Sequence, residues 1–303
     1  MTENPVGPRR CGFVAILGAP NAGKSTLTNR LVGSKVTIVS PKVQTTRSRI
    51  TGIAMAGTCQ IVLVDTPGIF TPRRRLDRAM VKAAWSGARD ADLVVLLVDA
   101  QRGLDEDTAA IVAGLKQAGR AAVLALNKID AVPAVRLLPL TEALRQAGNF
   151  TDIFMISAQT GDGVVDLRDH LAGRLPEGPW LYDADQVSIL PERFLAAETT
   201  REKLFLNLHQ ELPYQLSVET EEWTEREDGS VRIDQVIYVQ RENHKPIVLG
   251  KGGQQIKAIG AASRLELERL LERRVHLFLH VKVRADWAEE PARLGAIGLS
   301  EDL

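Results

Sequence analysis

Residues 18–26 read GAPNAGKST and follow the apolar run FVAIL at 13–17. They fit the pattern G-x-x-x-x-G-K-[ST] between a predicted strand and a predicted helix, which is the context that a phosphate-binding loop requires. The glycines let backbone N–H groups face phosphates, and the helix N-terminus adds positive potential. Lys24 is expected to reach the β- and γ-phosphates, and Ser25 to bind Mg²⁺. The predicted nucleotide site therefore comprises Gly18, Ala19, Pro20, Asn21, Ala22, Gly23, Lys24, Ser25 and Thr26.

Short apolar runs recur after this loop and alternate with amphipathic segments as far as residue 175. The runs are FVAILG, CQIVLVD, DLVVLLVD, AAVLALN and DIFMIS. Continuous apolar runs bounded by turn residues are typical of strands buried on both faces. Strands that alternate with helices predict an α/β fold with a doubly wound, mostly parallel sheet, whose ligands bind at the carboxyl ends of the strands.

Length and composition suggest two globular domains in a reducing compartment. The chain has 303 residues, of which 45% are hydrophobic and 25% charged, and its formal net charge is zero. Both cysteines, Cys11 and Cys59, lie in apolar runs, which argues against a disulfide framework. There is no apolar run of about 18 residues and no N-terminal signal core, so we expect a cytoplasmic protein. Residues 241–264 nevertheless carry five basic residues against one acid, which predicts a local basic patch.

The sequence NKID at 127–130 follows the run AAVLAL and predicts specificity for guanine. Asp130 can accept hydrogen bonds from guanine N1 and the 2-amino group, which adenine does not offer. Asn127 is expected to bind the base and brace the phosphate loop, while the stem of Lys128 covers the ring. SAQTG at 157–161 follows the next strand, so Ser157 and Ala158 join the site, with the Ala158 N–H facing guanine O6.

Two further motifs predict loops that respond to the γ-phosphate. DTPG at 65–68 ends the run CQIVLV; Asp65 would hold Mg²⁺ through a water, and the Gly68 N–H would meet the γ-phosphate. QTTR at 44–47 lies in a polar stretch, and a threonine there can close over Mg²⁺ and release it after hydrolysis. Thr46 is preferred to Thr45, although the sequence leaves both open. The predicted Mg²⁺ ligands are Ser25, Thr46 and Asp65, and the DTPG loop adds Asp65, Thr66, Pro67 and Gly68 to the nucleotide site.

The residue after DTPG is Ile69, where many GTPases place a glutamine that orients the attacking water. One alternative is therefore a protein that binds GTP without hydrolysing it. The other is that the charge on the transition state is stabilised elsewhere. Asn21 is a candidate ligand for K⁺ beside the phosphates, which would make hydrolysis K⁺-stimulated. The predicted catalytic residues are Lys24, Thr46, Gly68 and Asn21.

A change of pattern at 176–191, PEGPWLYDADQVSILP, predicts a linker to a second domain. A helical pattern follows, then two strands of period two around DG, a glycine loop, a helical run and the strand VHLFLHVKV. This order, α-β-β-α-α-β, predicts a type II KH fold. We expect a GTPase domain over 1–178, a linker over 179–191 and a KH domain over 192–303.

GKGG at 250–253 is a second glycine loop, but it lacks the G-K-[ST] ending and offers nothing to hold Mg²⁺. A G-x-x-G loop of this kind grips a nucleic-acid backbone in KH domains. Flanking apolar residues, including Ile259, are expected to line the groove for unpaired bases. The alternative is that GKGG is a plain turn and these residues are core. The predicted RNA-binding residues are Ile247, Val248, Gly250, Lys251, Gly252, Gly253, Ile256 and Lys257.

The motifs, in their order, resemble those of the bacterial Era family of GTPases from about residue 10 to the end. Supporting stretches are CGFVAILGAPNAGKSTLTN, QTTRSRITGI, REKLFLNLHQELPYQ and VHLFLHVKVRADW. The resemblance implies GTP and GDP binding, and binding of the 3′ region of small-subunit ribosomal RNA by the KH domain. It further implies assistance to assembly of the small (30S-type) ribosomal subunit and partial location at the inner face of the cell membrane. Gly252 departs from the family, because many members have a basic residue there.

Two alternatives belong to other functional classes. A tRNA-modification or transport GTPase would carry a C-terminal domain that binds protein or lipid, which the α-β-β-α-α-β order with G-x-x-G disfavours. An RNA chaperone that only binds GTP would show no turnover. Neutral net charge and the lack of a basic amphipathic helix argue against strong direct membrane binding, so any membrane association is expected to be weak and peripheral. We expect a monomer that changes its RNA affinity with nucleotide state.

Overall fold

The structure, a computed structural model, describes residues 7–285 and, beyond them, Trp287, Glu290, Gly295 and Leu299. The chain forms two compact units. The first contains the chain up to Thr37 and the stretch Thr46–Ile189, and the second contains Ile38–Thr45 and most of the chain from Leu190 onward. The outer limits of the expected domains, residues 1 and 303, lie outside the described residues.

The first unit alternates strands and helices in the order that the apolar runs predict. Its strands are β1 (Arg10–Leu17), β2 (Ile50–Ala56), β3 (Cys59–Asp65), β4 (Leu93–Asp99), β5 (Ala122–Asn127) and β6 (Phe150–Met155). Its helices are α1 (Lys24–Val32), α2 (Arg75–Asp90), α3 (Glu106–Gln117), α4 (Ala134–Ala147) and α5 (Val164–Arg174).

The six strands form one sheet in the order β2-β3-β1-β4-β5-β6, and every pairing except β2 with β3 is parallel. The prediction of a doubly wound, mostly parallel sheet is confirmed. Both faces are buried: Ile16 packs with α1 and α5, while Leu17 packs with α2, α3 and α4. The antiparallel edge strand β2 was not predicted, because ITGIAMA contains a glycine and small residues rather than an aliphatic run.

The predicted linker is fastened to the first unit over much of its length. The amide of Gln60, a buried residue of β3, donates to the Tyr182 carbonyl at 2.8 Å, and its oxygen accepts from the Leu181 and Tyr182 N–H groups. The Ile53 N–H donates to the Val187 carbonyl at 2.9 Å, and Ser188 bridges to Gly52. This segment therefore covers the open edge of β2 instead of forming a free tether.

The second unit has the element order α-β-β-α-α-β that its sequence predicts. Its elements are α6 (Glu192–Asn207), β7 (Leu216–Glu225), β8 (Val231–Val239), α7 (His244–Leu249), α8 (Gln254–Leu270) and β9 (Val275–Val283). The sheet runs β7-β8-β9, with an antiparallel first pair and a parallel second pair. One face packs against the helices through residues such as Phe205, Ile237 and Ile259. Across the described residues, no helix is both long and apolar enough to cross a membrane.

A short segment from the N-terminal half of the chain, Ile38–Thr45, belongs to the second unit. Glu202 of α6 accepts a hydrogen bond from the Val39 N–H at 2.8 Å. The Lys42 ammonium donates to the Phe205 and Leu208 carbonyls at the end of α6, and Arg201 donates to the Thr45 carbonyl. These contacts explain why charged residues of α6 such as Arg201 are buried, which the sequence of α6 alone does not predict.

Candidate functional site

The first glycine loop connects β1 to α1, and its glycines are required by their surroundings. A Cβ on Gly18 would lie 2.4 Å from the Leu97 carbonyl oxygen, and one on Gly23 would lie 2.3 Å from the Asn127 amide nitrogen. Gly23 also has φ +100°, a conformation that L side chains rarely adopt. The loop is therefore packed against β4 and β5, with the N-terminus of α1 directly behind it.

Lys24 is buried inside this loop. Its ammonium donates to the Gly18 carbonyl at 3.1 Å and to the Ala19 carbonyl at 3.0 Å. Burial lowers the pKa of Lys24 to about 8, and the nearby Asp65 carboxylate partly opposes that shift. An anionic ligand at the loop would favour the charged lysine and raise the pKa again, as expected of a phosphate-binding residue.

Three hydroxyl groups converge on one oxygen of Asp65. Ser25 donates to Asp65 Oδ2 at 2.8 Å, Thr37 donates to it at 3.0 Å and Thr46 at 3.4 Å. Burial raises the pKa of Asp65, while Lys24 and these hydroxyl donors oppose the rise. The other carboxylate oxygen, Oδ1, is buried without a hydrogen-bond partner. A buried carboxylate oxygen next to clustered hydroxyls suits a hard cation such as Mg²⁺.

Thr46 and its neighbour Thr45 point to different parts of the protein. The Thr46 hydroxyl lies 2.8 Å from the Ser25 hydroxyl in the first unit. The Thr45 hydroxyl instead contacts Ser40 at 2.6 Å and the Lys42 carbonyl at 2.7 Å in the second unit. This geometry favours Thr46 over Thr45 for the predicted Mg²⁺ site. Thr37, which was not predicted from the sequence, shares the Asp65 oxygen with it.

Asn127, at the end of β5, braces the base end of the site against the phosphate loop. Its amide donates to the Ala22 carbonyl at 2.8 Å, and its oxygen accepts from the Ala158 N–H at 2.9 Å. The Ala158 N–H thus donates to Asn127 in this structure, and its expected contact with guanine O6 stays a prediction. Asp130 is exposed in a turn over Ile129–Ala131, and the buried Ser157 accepts from the Thr160 N–H at 3.1 Å to shape its own turn.

The DTPG segment passes close to the phosphate loop. A Cβ on Gly68 would lie 2.9 Å from the Pro20 Cα, and the Ile69 N–H donates to the Gly18 carbonyl at 3.2 Å. The Thr66 hydroxyl donates to the Ile16 carbonyl at 2.7 Å, and Pro67 is buried.

Ile69 is only 5% exposed and packs in the core with α2 and α3. Its side chain therefore serves packing and offers nothing to an attacking water.

Asp99, the last residue of β4, and Arg102, in the loop before α3, also reach the site, although no motif singled them out. Asp99 accepts from the Lys128 ammonium at 2.6 Å. Arg102 donates to the Pro20 carbonyl at 3.2 Å and pairs with Asp105 and Asp107. A polar residue at the carboxyl end of a predicted parallel strand is a usable signal for a site residue, and Asp99 in DLVVLLVD is such a residue.

Asn21, the proposed K⁺ ligand, is exposed in the first glycine loop with φ 63°.

The second glycine loop is open to solvent. Gly250, Gly252 and Gly253 all have positive φ values, of 72°, 62° and 76°, but only Gly250 has a close neighbour, with Gln255 Cβ 2.6 Å from a built Cβ. Lys251 and Lys257 are exposed beside the N-terminus of α8. Exposed backbone, two lysines and a helix N-terminus together make a surface for an anion.

The apolar residues near this loop divide between core and surface. Val248 and Ile259 are 0% and 1% exposed and belong to the core of the second unit. The expectation that these two side chains line an open groove is corrected, because a fully buried side chain cannot contact a base. Ile247 is 52% exposed and Ile256 is half-buried, so these two remain available.

Comparison with known families supports this division into two parts. Residues 13–128 match the family described as 50S ribosome-binding GTPase, and residues 211–288 match the KH domain family.

Curated relatives match almost the whole chain. GTPase Era of Rhizobium meliloti strain 1021 is 61% identical over 292 residues, which cover 96% of this chain and 93% of the relative. GTPase Era of Dinoroseobacter shibae is 59% identical over 302 residues, covering 99% and 98%.

Two solved structures match over both units. A single-residue variant of Aquifex aeolicus Era bound to GDP·AlF₄⁻ gives a TM-score of 0.91 at 38% identity, covering 96% of this chain and 99% of that one. Era in complex with MgGDPNP and nucleotides 1506–1542 of 16S ribosomal RNA gives 0.92 at 38% identity, with the same coverage. By its motifs, its fold and its relatives, this chain belongs to the Era family of GTPases.

Proposed function

We propose that this GTPase is a nucleotide-controlled switch that binds the 3′ region of small-subunit ribosomal RNA through its KH domain and assists small-subunit assembly. The observation that carries the proposal is the match to Era in complex with MgGDPNP and nucleotides 1506–1542 of 16S ribosomal RNA. That match extends over both units, so each half of the bound relative has a counterpart in this chain.

The first unit supplies a site for GTP and GDP. The loop over residues 18–26 would hold the phosphates with its N–H groups, with Lys24 at the β- and γ-phosphates. Asp130 would select guanine, while Asn127 ties the base end to the Ala22 carbonyl. The tie means that base and phosphates are gripped by one connected unit, which favours a fixed geometry for the bound nucleotide.

Ser25, Thr46 and Asp65 would hold Mg²⁺, directly or through water. Their oxygens already lie within hydrogen-bond distance of one another, and Asp65 retains a buried oxygen without a partner. When bound, Mg²⁺ supplies charge that neutralises the phosphate oxygens. Lys24, whose charge interacts with that of Asp65, adds a second positive charge from the chain itself.

The position of Thr46 in the chain supports a link between nucleotide state and RNA affinity. Thr46 follows directly after the segment Ile38–Thr45, which is held by α6 in the second unit. A change that orders or releases Thr46 is therefore one peptide bond away from residues fixed to the second unit. By linkage, if GTP tightens RNA binding, RNA tightens GTP binding by the same factor.

Asn21 is proposed to bind K⁺ beside the phosphates, since Ile69 cannot orient water. We expect turnover at least about tenfold faster in K⁺ than in Na⁺, because a cation beside the phosphates stabilises the transition-state charge. Phosphate release in equimolar KCl and NaCl measures this difference, and Asn21→Ala should remove it. Equal turnover of the unaltered protein in both salts would eliminate the K⁺ site.

The second unit supplies the RNA surface. The loop over residues 250–253 exposes backbone to solvent at Lys251 and Gly252, and Lys251 and Lys257 add charge for the RNA phosphates. Ile247 and Ile256 remain as apolar contacts for unpaired bases. Val248 is withdrawn from the set of predicted RNA contacts, because it lies in the core of the second unit.

We further propose that the protein acts in the cytoplasm as a monomer, with at most weak peripheral association with the membrane. The zero net charge supports weak membrane association, because strong binding to anionic lipid needs an excess of lysine and arginine on the binding surface. Flotation with anionic vesicles tests the membrane part.

The decisive experiment measures affinity for short single-stranded RNAs, including the 3′ end of small-subunit ribosomal RNA, at fixed salt. Each titration is done with GDP and with a non-hydrolysable GTP analogue. Tight binding with the analogue alone is expected. Equal binding in both states would retain the RNA site and remove the switch. No binding at all would favour a GTPase whose second unit binds protein or lipid.

A further inference from the structure

Asp99 is the last residue of β4 and lies directly opposite Asn127, the last residue of β5. The Ala100 N–H donates to the Asn127 carbonyl at 2.9 Å, so the two strand ends are joined where the NKID turn begins. Asp99 is only 7% exposed. This acid therefore sits beside the proposed base site without belonging to any of the motifs that define it.

The two carboxylate oxygens of Asp99 accept hydrogen bonds from different donors. Oδ1 accepts from the Gln101 N–H at 2.9 Å, which fixes the carboxylate in its own turn. Oδ2 accepts from the Lys128 ammonium at 2.6 Å. The Lys128 side chain is 33% exposed and that of Asp99 is 8% exposed, so this pair is much less solvated than a surface salt bridge.

Lys128 is constrained at both ends of its side chain. Its backbone is left-handed, with φ 65° and ψ 36°, which is uncommon outside glycine, asparagine and aspartate. Its ammonium is held by Asp99. The methylene stem between these two fixed points is consequently limited to few rotamers, and less conformational entropy is lost when a flat ring packs on it.

We infer that Asp99 is a positioning residue for guanine binding, which holds the Lys128 ammonium so that the lysine stem is preset over the base. This inference rests on the proposed role of Lys128 in the base site. Asp99 also neutralises the lysine, so the base meets a paired charge instead of a bare cation in a half-buried site.

A purely structural role for Asp99 is the competing explanation, since its carboxylate also shapes the turn after β4. Two bonds of that turn, from the Arg102 and Gly103 N–H groups, go to the Asp99 backbone carbonyl and survive any substitution. Asp99→Asn keeps a side-chain oxygen for the Gln101 N–H but places an amide group opposite the Lys128 ammonium. The variant therefore removes the ion pair while leaving the turn.

The test is a double-mutant cycle in the full chain, read as the dissociation rate of a fluorescent GDP. Lys128→Met keeps the stem and removes the ammonium. We expect Asp99→Asn to release GDP about tenfold faster, the size of one charge-assisted hydrogen bond. In the Lys128→Met background the same substitution should change the rate less than about twofold. Asp166→Asn, an exposed acid on α5, is the matched control and should change nothing.

The outcomes separate the inference from the proposed function. An Asp99→Asn effect of equal size in both backgrounds would show that the carboxylate acts through the turn, and a wild-type rate for Asp99→Asn would show no role; either overturns the inference. Unchanged GDP release by Lys128→Met would show that the ammonium held by Asp99 is not needed, which also overturns the inference but leaves the lysine stem in the proposed base site. Thermal unfolding midpoints of all variants exclude a folding defect as the cause of faster release.

Discussion

The two glycine loops each combine glycines with a lysine but differ in what surrounds them. In the first loop, a Cβ on Gly18 or Gly23 would lie within 2.4 Å of another atom of the chain. In the second, Gly252 and Gly253 have no heavy atom within 4 Å of a built Cβ, and only their positive φ values call for glycine. The first loop needs glycine for space and for conformation, whereas the second, at these two positions, needs it for conformation alone.

The lysines of the two loops differ in the same way. Lys24 is buried, and burial lowers its pKa to about 8. Lys251 is exposed next to the N-terminus of α8. An enclosed loop can surround a small nucleotide, whereas an open loop can be crossed by a long polymer. The difference in burial is consistent with the proposal that the two loops bind different phosphate ligands.

The largest effect is a loss of GDP affinity, which we expect when a methyl group is added to the first loop but not when one is added to the second. Gly23→Ala should weaken GDP binding at least about 100-fold, because the new Cβ meets the Asn127 amide at 2.3 Å and overpacking distorts a tightly packed site. Gly252→Ala is the matched control, since it too adds a methyl group at positive φ but in open space. GDP titrations and unfolding midpoints measure both. Comparable losses of GDP affinity would break the comparison between the loops.

A second variant introduces negative charge into the second glycine loop. The double variant Gly250→Asp/Gly253→Asp should weaken RNA binding by about 100-fold or more, because two carboxylates repel the RNA backbone, and should leave GDP affinity within about twofold. Filter binding at fixed salt measures the RNA affinity. A charge control, Gly173→Asp/Gly178→Asp, adds the same charge at two glycines with open space around them, and unfolding midpoints show whether the close approach of Gln255 to Gly250 destabilises the first variant. Unchanged RNA affinity in the first variant would remove the loop from the proposed RNA surface.

The smallest effect is a dependence of GDP affinity on pH. Burial holds the pKa of Lys24 at about 8, and bound phosphates favour its charged form, so binding requires a proton whenever the lysine is neutral. Affinity should be constant well below pH 8 and about fourfold weaker at pH 8.5 than at pH 7. Calorimetry in two buffers of different ionisation enthalpy should show proton uptake rising over this range. Uptake that does not change with pH would indicate that Lys24 stays charged in the free protein.

The class of fold and the chemistry of the nucleotide site could be predicted from the sequence, because each motif is local. GAPNAGKST, DTPG and NKID each follow an apolar run, and parallel strands bring their carboxyl ends to one edge of the sheet. The second unit was likewise predictable from period-two strands and a G-x-x-G loop. In these regions the residues that matter are neighbours in sequence, or lie at strand ends whose position the fold class dictates.

What the sequence did not reveal depends on contacts between residues far apart in the chain. Asn127 takes the Ala158 N–H, Asp99 holds Lys128, and Gln60 fastens the segment around Leu181. Val248 and Ile256 both follow an apolar pattern, but only Val248 is fully buried. A single sequence does not show which partner a hydrogen-bonding group or an apolar side chain has. Tertiary packing alone therefore decided which N–H groups and carboxylates are hydrogen-bonded within the chain and which apolar side chains are buried.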